Sequence, residues 1–247
     1  MRSIKKWTRK QKGGTQTLID GFQAADAFIV HELNKIDHVI LFESTLSKGA
    51  LPSLGLPGGR CDTAHKGSLE MTIESELFEE SRMSIKIQEN VFKDMTKQGK
   101  YVDTEGDSKG LKGPRRCFLT KVPFISVDYY KMNKDKMDEL IRKTPSLANG
   151  SLYSFVETRA MVRIPLSLIQ KAFNDAGRKK VAVNITHDGK DYHIQGHVLV
   201  AYSALIDKGL LSAPYDMAAR ITTRKSEKKC THWASANSVG GQTDFYV

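Results

Sequence analysis

Cysteine is scarce in this chain of 247 residues: Cys61, Cys117 and Cys230 are the only three. An odd number at spacings that match no zinc pattern favours a reducing compartment or incidental thiols, and no structural disulfide framework is expected. Proline is sparse as well, at 7, with 19 glycines, which excludes collagen-like and mucin-like classes. Long hydrophobic runs are missing: the longest candidates, around Val198-Leu199-Val200-Ala201, fall far short of the ~20 residues that span a bilayer. Residues 1–14 carry Arg2, Lys5, Lys6, Arg9, Lys10 and Lys12 with no apolar stretch behind them. No secretory signal is visible, so the expected compartment is cytoplasmic, although a signal already removed would leave no trace.

What is present suits a soluble globular protein. Hydrophobic residues make up 40% and charged residues 27%, enough to bury a real core in one large or two small domains. Lys and Arg number 38 against 28 Asp and Glu, a net charge of +10. That balance favours an anionic partner such as a nucleotide, an RNA or an acidic surface, without choosing among them.

The chain divides by composition into a basic arm (1–17), a compact domain (18–213) and a basic extension (214–247). The runs Ala27 to Val30 and His38 to Phe42 predict two paired strands across the polar Asn34-Lys35-Ile36-Asp37. A loop rich in Ser, Gly and Pro is expected from Ser44 to Gly59. Leu69, Ile73 and Leu77 at i, i+4 spacing, behind Ser68, predict a capped helix over 68–81. Residues 90–114 read as an exposed insertion with at most one short strand. Further strands are expected at Cys117 to Val122 and Ala160 to Ile164. Helices are expected at Lys134 to Lys143, Leu166 to Ala176 and His197 to Lys208. Asp188-Gly189 marks a hairpin between Val181 to Ile185 and Tyr192 to Ile194. This interleaving indicates a mixed α and β fold.

The informative segment is Gly55-Leu56-Pro57-Gly58-Gly59-Arg60-Cys61-Asp62, followed by Glu74-Ser75-Glu76-Leu77-Phe78-Glu79-Glu80-Ser81-Arg82-Met83. At ~100° per residue, Glu76, Glu79 and Glu80 share about 100° of arc, while Glu70 and Glu74 point away. Like charges at i, i+3 and i+4 repel by about 0.2–0.5 kcal/mol per pair and call for a cation. Clustered carboxylate oxygens bind hard divalent ions, Mg²⁺ or Mn²⁺. The glutamates alone also suit a solvated acidic face. Pro57-Gly58-Gly59 before the helix permits close backbone approach, as a phosphate and metal pocket requires.

Together these residues resemble the Nudix hydrolase box, G-x5-E-x7-R-E-U-x-E-E-x-G-U with U aliphatic. Glu76-Leu77-Phe78-Glu79-Glu80 matches E-U-x-E-E, and Gly59 matches the leading glycine. The preceding strands, the Leu56-Pro57-Gly58-Gly59 lead-in and Phe155-Val156-Glu157 before a late strand agree, and the likeness reaches loosely from Asp26 to about Leu211. The sequence departs from the pattern in a loop two residues longer, in Ser75 at the arginine position, in Arg82 at the late glycine, and in Gly67 or His65 where the first glutamate belongs.

The resemblance implies an α/β/α sandwich around a mixed sheet and a metal-dependent pyrophosphohydrolase acting on a nucleotide diphosphate. By that likeness, Glu76, Glu79, Glu80 and the Gly59 carbonyl would hold Mg²⁺ or Mn²⁺. Glu79, Glu80 and Glu157 are the catalytic candidates, and Arg60 and Arg159 the candidates for substrate phosphate. Substrates implied include ADP-ribose and NAD-type nucleotides and 5′-capped RNA, for which Trp7, Tyr153 or Trp233 would supply stacking and Arg224-Lys225 and Lys228-Lys229 charge. The box departures keep open an inactive module that binds nucleotide, RNA or a protein partner. His187, His193 and His197 are expected to scatter across faces, and Cys61 to be a passive thiol.

Overall fold

The computed structural model describes residues 18–44, 50–61, 67–105, 113–122, 125, 127–144 and 157–212. The basic arm, the C-terminal extension and Tyr153 lie outside the described residues, and with them Trp7, Trp233, Arg224-Lys225 and Lys228-Lys229. Contacts separate the chain into Met1–Ala213 and Pro214–Val247. All described residues belong to the first unit.

Strands β1 (Ala24–Leu33) and β2 (Ile36–Ser44) form an antiparallel hairpin that closes at Leu33 and Ile36. The two turn residues, Asn34 and Lys35, have φ of 53° and 62°, the primed-turn geometry that follows the natural strand twist. Strands β3 (Ser53–Gly55), β4 (Gly58–Arg60), β5 (Tyr101–Thr104), β6 (Arg115–Val122), β7 (Thr158–Pro165), β8 (Val183–His187) and β9 (Lys190–Ile194) complete one sheet. Its order is β5-β6-β1-β2-β3-β9-β8, with β4 added on β1 and β7 on β2. β1 runs parallel to β6 and antiparallel to β2, so the sheet is mixed.

Alternation along the strands sends side chains to two faces. Phe28, Val30, Val39, Leu41, Cys117 and Leu119 pack with Leu166 and Ile169 of α4 (Leu166–Asp175) and with Val198, Leu199 and Leu205 of α5 (Gly196–Asp207). Ala25, Ala27, Ile29, Ile40, Phe42 and Phe118 pack on the other face. There they meet Leu69, Ile73 and Leu77 of α1 (Leu69–Glu80), Phe92 of α2 (Glu89–Lys97) and Tyr130 of α3 (Val127–Lys143). Two cores on either side of one mixed sheet make the α/β/α sandwich.

Three local expectations are corrected. The segment Ser44 to Gly59 contains β3 and most of β4, strands too short for alternation to be read. The segment expected to be an insertion with at most one short strand, 90–114, holds most of α2 as well as β5; α2 has only nine residues and Phe92 is the one it buries, so its pattern is short. Helix α3 begins at Val127 instead of Lys134; a buried Asn133 interrupts its apolar stripe.

Phe92 meets Phe118 edge-to-face at 5.3 Å. Phe92→Ala is expected to cost about 3–5 kcal/mol in urea unfolding. Val91→Ala, at an exposed position of the same helix, should stay within about 0.5 kcal/mol.

Candidate active site

β1 and β2 pair from Ile29 and Ile40 down to their turn, and above that point they part. The chain from β3 to β4 fills the gap: β3 pairs with Phe42 and Glu43 of β2, and β4 with Ala24 to Asp26 of β1. Ala27 N–H donates to the Pro57 carbonyl at 2.9 Å, and Cys61 N–H to that of Gln23 at 2.8 Å. By the alternation of an antiparallel ladder, Ala25 and Gly59 between them form a hydrogen-bonded pair. Gly59 O therefore keeps one lone pair for another contact. On the other side, Leu56 N–H donates to His197 Nε2 at 3.2 Å. The Leu56-Pro57-Gly58-Gly59 turn is thus fixed by backbone from both flanks.

Helix α1 packs against β1 and β4. Ser68 starts it, its Oγ accepting from Met71 N–H at 3.2 Å, a cap of the kind worth about 1 kcal/mol. Leu69, Ile73 and Leu77 enter the core, and that rotation leaves Glu76 and Glu80 over the glycine turn. A Cβ on Gly59 would stand 1.9 Å from Glu76 Oε1; one on Gly58, whose φ is +151°, would stand 2.4 Å from the Ala25 carbonyl and from Asp26 Oδ1. Only glycine admits the acids so close to the backbone. Gly58 N–H donates to Glu80 Oε2 at 2.9 Å.

Burial is the largest cause that holds the Glu80 carboxyl well above the ordinary carboxylate range. The charges of Glu76, Glu157 and Asp26 add to it, and the Gly58 hydrogen bond opposes it. Glu157 reaches this group through its neighbour. Thr158 Oγ1 donates to the Glu80 carbonyl at 2.7 Å and lies 3.0 Å from Tyr130 Oη. Arg82 Nη2 donates to the Thr158 carbonyl at 2.7 Å. The start of β7 is thereby latched to the end of α1, which brings Glu157, the residue before Thr158, within electrostatic reach of Glu80.

Arg82 stands where the box has its late glycine, and its φ is indeed positive, at 52°. A left-handed non-glycine residue costs about 1–2 kcal/mol; the buried guanidinium offsets this through Thr158 and through Asp138, 3.6 Å away. Glu70 bonds Thr96 Oγ1 at 2.6 Å and Glu74 accepts from Glu89 N–H at 3.0 Å, so both face α2, away from the site. Glu79 lies half-buried on α1 with no side-chain hydrogen bond among the described contacts. Arg60 on β4 and Arg159 on β7 are both exposed. Cys61 is buried. His193 pairs with Asn184, His187 with Asp188, and His197 with Leu56, so the three histidines do not converge.

Asp26 was not singled out in the sequence, though a lone acid inside the apolar run Ala24 to Val30 is a signal. It is buried, faces Gly58 and is held by both Arg115 Nε, at 2.6 Å, and Nη2. Carboxylates crowded against a glycine backbone and repelling one another offer the hard oxygens that a divalent cation takes. Among the described residues no three His, Cys, Asp or Glu side chains close round one point, so a shell would need the Gly59 carbonyl and water as well.

Two outcomes are expected in the metal-free protein. Glu80→Gln keeps an acceptor for Gly58 N–H and removes the repelled charge. It should raise the melting temperature near neutral pH by about 2–4 °C, the equivalent of about 1 kcal/mol in a domain of this size. A carboxyl raised by folding is destabilising above its unfolded value, so the gain should vanish as pH falls through the ordinary carboxylate range, where the group is protonated in both states. Thr158→Val removes the latch at nearly constant shape, leaves the Glu80 carbonyl without its donor, and should lower stability by about 1–3 kcal/mol in urea unfolding.

No protein-family model matches the chain, and no curated protein does. Solved structures similar to this fold include the NUDIX domain of Shewanella oneidensis NrtR complexed with ADP ribose, at 13% identity over 61% of this chain and 77% of that one, TM-score 0.36. A C. elegans Ap4A hydrolase binary complex is 13% identical over 76% of this chain and 98% of that one, TM-score 0.38. The T. brucei MERS1–RNA complex is 12% identical over 62% and 54%, TM-score 0.33. At such identities and scores the likeness lies in the fold, and the chemistry rests on the residues of this chain.

Proposed function

We propose that the chain is an Mg²⁺- or Mn²⁺-dependent hydrolase of a diphosphate linkage in a nucleotide derivative. The convergence of Glu76 and Glu80 on the Gly58-Gly59 backbone, with the charge of Glu157 acting on Glu80, supports this reading. Glu76 and Glu80 would hold the cation with the Gly59 carbonyl, and Glu79 would complete the shell directly or through water. When bound, the cation neutralises diphosphate oxygens and lowers the pKa of water.

The remaining work belongs to side chains. Glu157, fixed on the β7 side by the Thr158 latch, takes the proton of the attacking water at its carboxylate. The buried Arg115–Asp26 pair keeps the base of the turn rigid without adding net charge. Arg60 and Arg159, on strands flanking the turn, would pair with phosphate oxygens. The finer reading is an ADP-ribose or NAD-type nucleotide or the 5′ cap of mRNA, for which the net charge of +10 is suited.

A second reading, a binding module without turnover, is favoured by the lack of a ready three-donor cluster among the described residues. One assay separates the two: product release from ADP-ribose, NADH, dinucleoside polyphosphates, an inositol pyrophosphate and capped RNA, with Mg²⁺ or Mn²⁺. Turnover should require metal and should fall in Glu79→Gln and Glu80→Gln by more than the about 10–100-fold of an outer-shell loss. Full activity in Glu80→Gln would sink the hydrolase reading, and the absence of both turnover and Mn²⁺ binding would favour the module. Capped RNA hydrolysed no faster than free cap dinucleotide, and insensitive to salt, would remove RNA as the substrate.

A further inference from the structure

The other face of the sheet carries a cleft of about 260 Å³ between α4 and α5, remote in the fold from α1 and the glycine turn. Gln170, Phe173 and Asn174 line it from α4, and Tyr202, Ser203, Ile206 and Asp207 from α5. Arg178 and Lys180 stand at its rim, both exposed. The Arg178 backbone is fixed: its φ is 58°, and its N–H donates to the Phe173 carbonyl at 2.8 Å, while Gly177 N–H takes that of Asn174 at 2.8 Å. The carbonyls that end α4 are therefore occupied and present little negative charge to the cleft.

Tyr202 is the decisive residue. It is 2% exposed, and its ring meets Phe173 edge-to-face at 5.7 Å. Its hydroxyl has no hydrogen-bond partner among the described residues, and burial is the only cause that pushes it up to about 12. The hydroxyl is not one of the sealed unpartnered atoms, which are Arg82 Nε and Ser84 Oγ. It therefore opens onto the cleft. A hydroxyl that reaches the cleft with no protein partner among the described residues is available to a ligand, and it remains a donor throughout the physiological pH range. Asp207, the one acid in the lining, accepts from Ser203 Oγ at 3.3 Å and keeps its charge; the two cations, Arg178 and Lys180, outnumber it, beside two amides and the Tyr202 phenol.

We propose that this cleft is a second ligand site, for a small organic anion whose phosphate or carboxylate meets Arg178, Lys180 and the Tyr202 hydroxyl while its apolar part lies on Phe173 and Ile206. The inference does not depend on the hydrolase reading, since it uses no residue of the carboxylate group.

The test is a titration of the full chain with phenylphosphonate and with benzoate in the presence of a metal chelator, followed by ligand-observed NMR. Inorganic phosphate and benzyl alcohol report the charge and the ring separately. Saturable binding is expected for at least one of the two ring-bearing anions, tighter than for either control. It should be weakened about tenfold in Tyr202→Phe, as loss of a hydrogen bond to a charged group predicts, and to a similar extent in Arg178→Gln. Glu80→Gln should bind as the parent does. Tyr202→Phe should melt no lower than the parent, because the hydroxyl has no structural partner to lose. The absence of saturation with both anions would mean that water alone serves the hydroxyl and would overturn the proposal. Binding unchanged in both variants, or a lower melting temperature of Tyr202→Phe, would overturn it too.

Discussion

Glu80 is bound at both ends, and the site depends on that double attachment. Its side chain accepts from the Gly58 amide and its carbonyl accepts from Thr158. One residue at the end of α1 therefore joins the β3–β4 turn to the start of β7, two segments that share no strand pairing. Were either bond missing, α1 could shift relative to one wall of the cluster, and the distance between Glu80 and Glu157 would no longer be set. The cost is electrostatic. Three other acids raise the Glu80 carboxyl, and this repulsion is tolerated because Leu69, Ile73 and Leu77 anchor the helix in the core independently. Strain concentrated at one place and compensated elsewhere is the usual pattern of a functional site.

The sheet makes this arrangement possible by splaying. A hairpin that stayed paired along its whole length would leave no room for a glycine turn between its strands. β1 parts from β2 where β6 supports it on the opposite edge, through an unbroken parallel register from Ala24 to His31. Arg115, at the first position of that register, reaches across to Asp26 and neutralises it. The ion pair is buried, so it is costly to break, and it lies directly beneath Gly58. Rigidity under the turn and repulsion above it thus come from the same strand pair.

Local features were legible in the sequence, and tertiary ones were not. The Asn34-Lys35 and Asp188-Gly189 hairpins and the Ser68-capped helix depend on residues within a few positions of each other, and their signals are correspondingly clear. The common face of Glu76 and Glu80 followed from helix geometry alone. Asp26 and Arg115 are 89 residues apart, and Thr158 and Glu80 are 78 apart; no local period links such pairs. Helix α2 escaped notice for a different reason: it is nine residues long and buries one side chain, Phe92, so its amphipathic pattern is too short to stand out among the surrounding charges.

Arg82 shows how a departure from a sequence pattern can be absorbed. Against the pattern that the segment resembles, Ser75 stands at the arginine position and Arg82 at the late glycine. A bulky residue at φ +52° would normally argue against the helix ending there. Here the left-handed turn carries the Arg82 guanidinium inward, to the Thr158 carbonyl and the α3 carboxylate of Asp138, while Asn133 donates to the Arg82 carbonyl at 2.8 Å. The arginine at the end of α1 thus tethers that helix to β7 and α3. The Nε, without a partner among the described residues, marks the tether as imperfect, consistent with an arginine serving at a position whose backbone suits glycine.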